Sequence, residues 1–504
     1  MTTRLTDQAL ADIQGFITSG YGHLPLATYL FLQIGEAARA QAYLAALIPS
    51  ITTSARWPVT EGNKVRPLSA VNVAFTAAGL QALGLPEAVR CTFPPEFHDG
   101  IATPERSAIL GDTEESAPDR WEFGGPASPA IHMVLIVHGA SSADLDRECS
   151  LHRRLLDATD GGMIELSSAT QNGYRPEGGH EAFGFHDGVS QPSIKGIAGE
   201  GVPTGEFVLG YTNHYEVIPP TPVVPEELKG SALLAPLMNP YHHAKRVRDL
   251  GLNGSYVVYR KLQQDVAGFW RFMKDEAMRA TSREDSGYMV WVASRCMGRW
   301  PSGASLAMTP DRDDPRLHDG NDFLYDDDAE GLACPLGAHI RRTNPRAVIK
   351  PYGPTESLSM SEAHRLLRRG RMFGPPLFDA AIVGDPTSPA NATTLGNLGD
   401  DGIARGIHFF CVNASIKSQF EFVQQTWCNN PRFSGLNANK DPISGDNARS
   451  DSPASHMTIS RQGAAYRTAA LPRFVTVKGG AYLFMPSITA LRFLAAFRRE
   501  PAAV

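Results

Sequence analysis

The amino-acid sequence predicts an α+β protein whose two halves repeat one arrangement of strands and helices. Two observations lead to this prediction. Apolar, β-rich runs alternate with Ala- and Leu-rich segments of helical periodicity, and a proline-rich stretch divides the chain near its middle. Short apolar runs bounded by turn residues are typical of buried strands, and apolar residues spaced three and four apart are typical of helices. The resulting order of strand, helix, strand, strand and helix is that of a split βαβ sheet.

The first half contains three apolar runs, each followed by a helical pattern. ATYLFLQIG at 27–35 predicts a strand, and the Ala- and Leu-rich residues after it predict a helix. VNVAFTAAGLQALGL at 71–85 predicts a short strand followed by a helix, and IHMVLIVHGA at 131–140 predicts another buried strand. A charged helix is expected at 141–158, because Ser and Asp residues suitable as caps stand at its start.

The second half repeats this pattern after VIPPTPVVPEELKG at 217–230, which has too much proline for a central strand or helix. A strand and then a helix are predicted at 254–273. Another strand is predicted at 406–416, followed by a helix over SQFEFVQQTW, and two short strands and a terminal helix are predicted at 464–497. The two halves therefore match in layout, and long polar, Gly- and Pro-rich loops separate their elements.

Chain length and composition define the class of protein. A chain of 504 residues is too long to fold around one ordinary hydrophobic core, so more than one domain is expected. We predict an N-terminal domain at 1–216, a proline-rich linker at 217–230 and a C-terminal domain at 231–504. With 42% hydrophobic and 20% charged residues, the composition is that of a soluble globular protein. The net charge of -6 gives no reason to expect nucleic acid or an anionic membrane as a partner.

The cysteines and the N-terminal residues favour a cytoplasmic protein. The six cysteines are scattered singly, with no CxxC pair for zinc or an iron–sulfur cluster and no CxxCH motif for covalent haem. No basic region leads into an apolar stretch at the N-terminus. We therefore expect reduced thiols and a cytoplasmic location.

The loop GFHDGVSQPSIKG at 184–196 is a first candidate site. Asp187 stands between Gly184 and Gly188, and glycines permit backbone angles that let a chain turn tightly or approach a ligand closely. Asp-Gly pairs are also ordinary turn chemistry, so a plain surface turn is the alternative. The tetrapeptide FHDG occurs a second time, at 97–100.

The segment GLACPLGAHIRRTNPR at 331–346 is a second candidate. Small apolar residues precede His339, and a basic run follows it; its arginines are Arg341, Arg342 and Arg346. A haem needs this pairing, because its iron takes an imidazole nitrogen and its propionates favour arginine. The alternative is a core histidine followed by a basic surface. A third segment, HRLLRRGRMFGP at 364–375, places arginines before a Phe-Gly-Pro turn.

Together these segments resemble those of the dye-decolorizing peroxidases, haem enzymes built from two ferredoxin-like domains. The GxxDG motif of the family is matched at 184–188, which makes Asp187 the counterpart of its distal catalytic acid. AHIRRTNPR is similar to the segment with the proximal haem ligand in the larger bacterial and fungal members, so the resemblance assigns that ligand to His339. LLRRGRMFG resembles the segment with the distal arginine, and its register selects Arg368, with Arg369 as the main rival.

The resemblance implies a haem b peroxidase that reduces hydrogen peroxide and oxidises small organic reductants, such as dyes and phenolics, through an oxoferryl porphyrin-radical intermediate. It implies a possible homo-oligomer. The cofactor-binding residues that we expect are His339, Arg341, Arg342, Arg346, Gly188, Ile407 and Phe409. Ile407 and Phe409 project to one face of a predicted strand, with His408 and Phe410 on the other.

Three further expectations complete the sequence analysis. The FHDG copy at 97–100 lacks a Gly three residues before its Asp, so we interpret it as unrelated to the site. KPYGPTESLSMSE must form an insertion that loops out if Arg368 is in register. Because an aspartic acid ordinarily ionises near pH 4, a distal Asp187 predicts an acidic optimum for dye oxidation.

Two other functions remain open at this point. One is a haem-binding or haem-iron-releasing protein of the same fold, in which Asp187 and Arg368 matter little for turnover. The other is a non-haem, metal-dependent hydrolase, against which stands the absence of an HExxH motif.

Overall fold

Strands from both halves of the chain form one main sheet. The computed structural model describes residues 5–60, 63–197, 199, 201–238, 246–384, 389–451 and 453–497. The strands are β1 (Leu26–Ile34), β2 (Val59–Thr60), β3 (Asn63–Lys64), β4 (Ser69–Phe75), β5 (Met133–Gly139), β6 (Met163–Glu165), β7 (Gln171–Tyr174), β8 (Val223–Pro225), β9 (Val247–Asp249), β10 (Ser255–Gln264), β11 (Leu367–Arg368), β12 (Arg371–Phe373), β13 (Gly406–Asn413), β14 (Thr458–Ile459), β15 (Tyr466–Arg467) and β16 (Val475–Met485).

The helices cover the outside of this sheet and form a separate layer in the second half. They are α1 (Asp7–Asp12), α2 (Gly15–Thr18), α3 (Ala37–Leu47), α4 (Ala77–Ala82), α5 (Glu87–Arg90), α6 (Pro95–Asp99), α7 (Pro104–Leu110), α8 (Ser142–Asp157), α9 (Val266–Thr281), α10 (Ser286–Met297), α11 (His339–Thr343), α12 (Pro354–Ala363), α13 (Ala381–Gly384), α14 (Pro389–Gly396) and α15 (Ile488–Ala496). None of the described helices is long and apolar enough to span a lipid bilayer.

Eight strands close into an antiparallel barrel in the order β10, β16, β4, β5, β1, β7, β12 and β13, with β13 pairing back onto β10. Within the N-terminal half the order is β4, β5, β1 and β7, and within the C-terminal half it is β12, β13, β10 and β16. The halves meet at two short seams, where Phe484 pairs with Phe75 and Met372 pairs with Tyr174. The predicted α+β class with antiparallel strands is confirmed.

Aromatic side chains fill the inside of the barrel. Tyr259 of β10 stacks on Phe410 of β13 with ring centroids 4.2 Å apart, and Tyr29 and Phe31 of β1 lie in the same buried cluster. Because side chains alternate along a strand, the neighbours of Phe410 face outward. The outer face of β13 is therefore free to form a wall of a site beside the barrel.

The structure corrects one of the predicted elements and confirms another. The expected helix over SQFEFVQQTW is π-helical, at Lys417–Glu421 and Val423–Cys428. Strand β8, which lies within the proline-rich segment, pairs with β9 beyond it to form a separate two-stranded sheet. The predicted helix start at 141 is confirmed, since the Ser141 side chain accepts a hydrogen bond from the Asp144 N–H and caps α8.

Candidate active site

A cavity of about 530 Å³ lies beside the barrel, between its wall and the helices of the second half. Ile407 and Phe409 of β13 line it, as does Gln264 at the end of β10. The N-terminal half contributes the loop at 179–191, and the facing wall includes His339 of α11. Asp187, Arg368 and His339 therefore border the same space. Ile407 and Phe409 lie on the predicted face of their strand.

The loop that carries Asp187 is held by its glycines and its backbone. Gly184 and Gly188 have φ angles of 97° and 88°, which other residues resist. A Cβ at Gly184 would lie 2.9 Å from the Val383 side chain, so this position also needs the missing side chain. The Asp187 N–H donates to the Gly179 carbonyl at 2.8 Å. These constraints present the Asp187 carboxylate at the cavity wall.

Arg368 brings a guanidinium to that carboxylate. Its Nη1 lies 3.3 Å from Oδ1 of Asp187, and its Nη2 donates to the Val189 carbonyl at 3.1 Å. The Arg368 backbone N–H donates to the side chain of Gln191 at 3.0 Å. Three contacts thus fasten β11 to the loop, and the Asp187 side chain remains 47% exposed and open to the cavity.

The structure distinguishes Arg368 from its neighbours. Arg369 also borders the cavity, but its guanidinium turns away and donates to the carbonyls of Phe16 and Ile17, each at 3.0 Å. Burial lowers the pKa of Arg369 to about 10. Arg371 donates to backbone carbonyls at 20–24. Of these three, Arg368 is the arginine whose guanidinium reaches Asp187.

His339 lies at the N-terminus of α11 with one ring nitrogen engaged. Its Nδ1 is 3.0 Å from Oδ2 of Asp441, a fully buried carboxylate. Burial opposes ionisation of Asp441, yet its contact with His339 and the hydrogen bond from the Ser444 N–H hold the pKa of this carboxyl below its ordinary value. With Nδ1 occupied, Nε2 is the nitrogen left to bind a metal. The sequence analysis missed Asp441, which lies 102 residues beyond His339 in a loop without a distinguishing motif.

The three arginines that we expected among the cofactor-binding residues do not line the cavity. Arg341 is buried and pairs with Asp328 at 2.8 Å. Arg342 is buried among backbone carbonyls, including that of Asn430. Arg346 donates to the Asn321 carbonyl at 2.9 Å. The basic run after His339 thus anchors the surrounding loops, because each guanidinium meets fixed acceptors inside the protein.

Five other arginines do line the cavity and were not predicted from the sequence: Arg175, Arg260, Arg299, Arg365 and Arg473. Arg365 makes no side-chain hydrogen bond within the described residues, and burial lowers its pKa to about 10. Burial also lowers the pKa of Arg299 to about 10. The positive charges of Arg346 and Arg368 also lower the pKa values of Arg299 and Arg365. This wall of the cavity therefore carries positive charge in excess.

The remaining sequence expectations concern the second FHDG copy and the insertion. Residues 97–99 end the short helix α6, and Asp99 lies 3.7 Å from Arg106, outside the cavity lining. The insertion before Arg368 contains α12, and Ser359 on this helix contacts the ring of His214 at 2.9 Å. In the part of the chain that the structure describes, no three or more His, Cys, Asp and Glu side chains are grouped to hold a metal ion.

Comparisons with known proteins agree with this geometry. A family model described as the DyP dimeric alpha+beta barrel domain matches residues 12–170. The multifunctional dye peroxidase DyP2 of Amycolatopsis sp. (strain ATCC 39116 / 75iv2) is 30% identical over 490 residues, which cover 93% of this chain and 92% of that protein. The dye-decolorizing peroxidase msp1 of Mycetinis scorodonius is 28% identical over 495 residues, covering 96% and 87% of the two chains.

Solved structures show the same fold. A dye-decolorizing peroxidase in complex with 2,6-dimethoxyphenol superposes with a TM-score of 0.71 at 26% identity, covering 97% of this chain and 99% of that one. A decolorizing peroxidase of Auricularia auricula-judae gives a TM-score of 0.73 at 25% identity, with coverage of 97% and 99%. Since the likeness extends over nearly the whole chain and includes the barrel beside which the cavity lies, this protein belongs to the dye-decolorizing peroxidase family and is a peroxidase with haem b as its cofactor.

Proposed function

We propose that Asp187 and Arg368 catalyse the reaction of hydrogen peroxide in this peroxidase, that His339 is the iron ligand, and that dyes and phenolics are the organic reductants. The observation that carries the proposal is the contact of Asp187 with Arg368 at the wall of the cavity that His339 also borders. A paired acid and guanidinium beside one available imidazole nitrogen supply the proton-transfer, charge-stabilising and metal-binding groups that a peroxidase needs.

The residues present fit a haem. The cavity volume of about 530 Å³ lies within the range of cofactor pockets. His339 is oriented by Asp441 so that Nε2 can bind iron. When bound, the haem would supply a redox-active iron porphyrin, the source of the two electrons needed to break the O–O bond of peroxide. Arg365 is the proposed partner of a propionate, because its guanidinium lines the cavity and makes no hydrogen bond within the described residues.

Asp187 moves a proton in the proposed reaction. Its carboxylate takes the proton from the inner oxygen of peroxide and returns it to the outer oxygen, which leaves as water. Arg368 stabilises the negative charge that develops on the departing oxygen, an effect of about 3 to 4 kcal/mol per well-placed donor in other enzymes. Ile407 and Phe409 line the same cavity as Asp187, and a Cβ at Gly188 would meet no atom within 4 Å, so the loop backbone is open at that position. We infer that hydrogen peroxide enters this space and that bulky dyes, which do not fit it, are oxidised at the protein surface.

The strand order supports a further proposal about domain organisation. We propose that residues 1–216 and 231–504 are two ferredoxin-like domains whose sheets join edge to edge. Each half contributes four barrel strands in the same relative order, with its second and third strands adjacent and its first strand between the third and the fourth. This order is that of a βαββαβ unit.

Peroxide-dependent oxidation of a phenol by the purified holoprotein tests the function. Asp187→Asn and Arg368→Leu are expected to lose activity while retaining haem. Asp99→Asn, in the second FHDG copy, is the matched control and is expected to behave as wild type. A haem-releasing protein of the same fold would instead show iron release that Asp187→Asn leaves unchanged, and that result would overturn the proposal.

A further inference from the structure

Glu181 is a part-buried carboxylate that lines the cavity six residues before Asp187. Its Oε1 accepts a hydrogen bond from the Phe185 N–H at 3.0 Å. Its Oε2 accepts from the Phe183 N–H at 3.0 Å and from the Gln264 side chain at 2.6 Å. The carboxylate is therefore bound by three donors, two of which belong to the backbone of the loop that ends at Asp187.

The backbone of Glu181 closes the same loop. Its N–H donates to the Phe185 carbonyl at 2.8 Å, and its carbonyl accepts from the Gly184 N–H at 2.8 Å. Since Gly184 is in the left-handed region, the N–H groups around it cannot join a regular ladder. The Glu181 side chain takes the place of a ladder partner for these amides.

Through Glu181 the loop is docked on the other half of the chain. Gln264 is the last residue of β10, on the barrel wall. Two neutral contacts accompany this link: Trp270 Nε1 donates to the Phe183 carbonyl at 3.2 Å, and the His186 N–H donates to the Pro301 carbonyl at 2.9 Å. The contact of Glu181 with Gln264 is the shortest of the three, at 2.6 Å, and it joins a side chain of the loop directly to the barrel strand β10.

We propose that Glu181 is a positioning residue for the peroxide reaction: it holds the Asp187 loop on the barrel wall so that Asp187 stays opposite Arg368. The inference rests on the proposed roles of Asp187 and Arg368. Burial raises the pKa of Glu181 to about 7, and the nearby charge of Asp187 acts in the same direction.

Glu181→Gln in the holoenzyme tests the inference, with Glu177→Gln as the control at an exposed acid of the same loop region. Gln offers one acceptor oxygen where Glu offers two, so at least one loop amide loses its partner. We expect hydrogen exchange at the amides of Phe183 and Phe185 to rise about tenfold. The second-order rate with peroxide falls up to about a hundredfold, as for a misplaced catalytic group. The KM for the phenol and the Soret band stay unchanged.

A second variant keeps the inference testable if Glu181→Gln fails to bind haem. Gln264→Leu removes one donor to the carboxylate and leaves both loop amides paired, so smaller changes of the same kind are expected in exchange and in peroxide rate. The positioning role would be overturned if whichever of the two variants folds showed unchanged hydrogen exchange at the Phe183 and Phe185 amides and an unchanged rate with peroxide. If Asp187→Asn itself retains full activity, the proposed function fails instead, and the two results are distinguishable.

Discussion

Arg368 and Asp187 are 181 residues apart in the chain, yet Nη1 of the guanidinium lies 3.3 Å from Oδ1 of the carboxylate. The two residues come from opposite halves of the chain, Asp187 from a loop and Arg368 from β11. Their contact lies near the seam at which β12 meets β7, where Met372, four residues beyond Arg368, pairs with Tyr174. The proposed peroxide site is therefore a product of the junction between the halves.

Substitution of the two adjacent arginines is expected to separate catalysis from stability. Arg368→Leu should lower the rate with peroxide about 10²- to 10³-fold with little change in the melting temperature, because its guanidinium is the proposed charge stabiliser. Arg369→Leu should lower stability by about 1 to 3 kcal/mol, since the buried carbonyls of Phe16 and Ile17 lose their donors. Stopped-flow kinetics and thermal unfolding of both variants measure this, and the reverse pattern would contradict the assignment.

Removal of the imidazole at 339 is expected to abolish the normal haem spectrum. His339→Ala leaves no nitrogen beside Asp441 to bind iron, so the Soret band should shift or disappear when the variant is expressed with added haem. His318→Ala is the control, because that histidine is exposed and does not line the cavity. A Soret band that His339→Ala leaves unaltered would rule out His339 as the ligand.

Neutralising Asp441 is expected to raise the Fe(III)/Fe(II) midpoint potential. An anionic acceptor at Nδ1 makes the imidazole a stronger electron donor, which favours the ferric state, and Asp441→Asn removes that charge. Loss of such a partner also commonly costs about 10- to 100-fold in activity. A spectroelectrochemical titration compares this variant with Asp451→Asn, at an exposed acid ten residues on. A lower or equal potential in Asp441→Asn would contradict the role.

Dye oxidation is expected to have an acidic pH optimum. The proposed distal group is an aspartate, and an aspartic acid ordinarily remains ionised down to about pH 4. A distal histidine would already be protonated there, with an ordinary pKa of about 6.5. Steady-state rates measured from pH 3 to pH 9 check this expectation. An optimum above pH 7 would count against Asp187 as the proton acceptor.

Stability is expected to fall as the pH rises, in part because of Glu206. Burial raises the pKa of this carboxyl from 4.5 to about 7, against the effect of a hydrogen bond from the His214 N–H. Because the pKa of Glu206 is raised in the folded state, the contribution of this carboxyl to the free energy of unfolding is fully present below pH 4.5. That contribution is lost as the pH rises past 7. Glu206→Gln should therefore stabilise the protein at pH 8 relative to wild type, by about 1 to 3 kcal/mol.

Unfolding at pH 5 and pH 8 measures this difference. Glu216→Gln, at an exposed acid nearby, should unfold like the wild type at both values. Equal pH dependence in Glu206→Gln and wild type would show that Glu206 does not titrate as expected.

Much of the fold could be predicted from local patterns. Strand β13 was expected at 406–416 because a short apolar run is typical of a buried strand. Side chains alternate along a strand, so the same segment also predicted that Ile407 and Phe409 share one face. The π-helical stretch at 417–428 could not be predicted, because its composition equally suits an α-helix. The closure of β13 onto β10 depends on pairing between distant segments, which no local pattern encodes.

The sequence by itself determined which segments can turn, extend or coil, and it marked Asp187 and His339 through the glycines and apolar residues around them. Those properties depend on backbone preferences and on side-chain spacing, which are local. Only the tertiary structure decided that Asp441 meets His339 and that Arg341, Arg342 and Arg346 anchor loops instead of lining the cavity. The physical reason is that the partner of a polar side chain is set by which distant groups the closed barrel brings within hydrogen-bond distance.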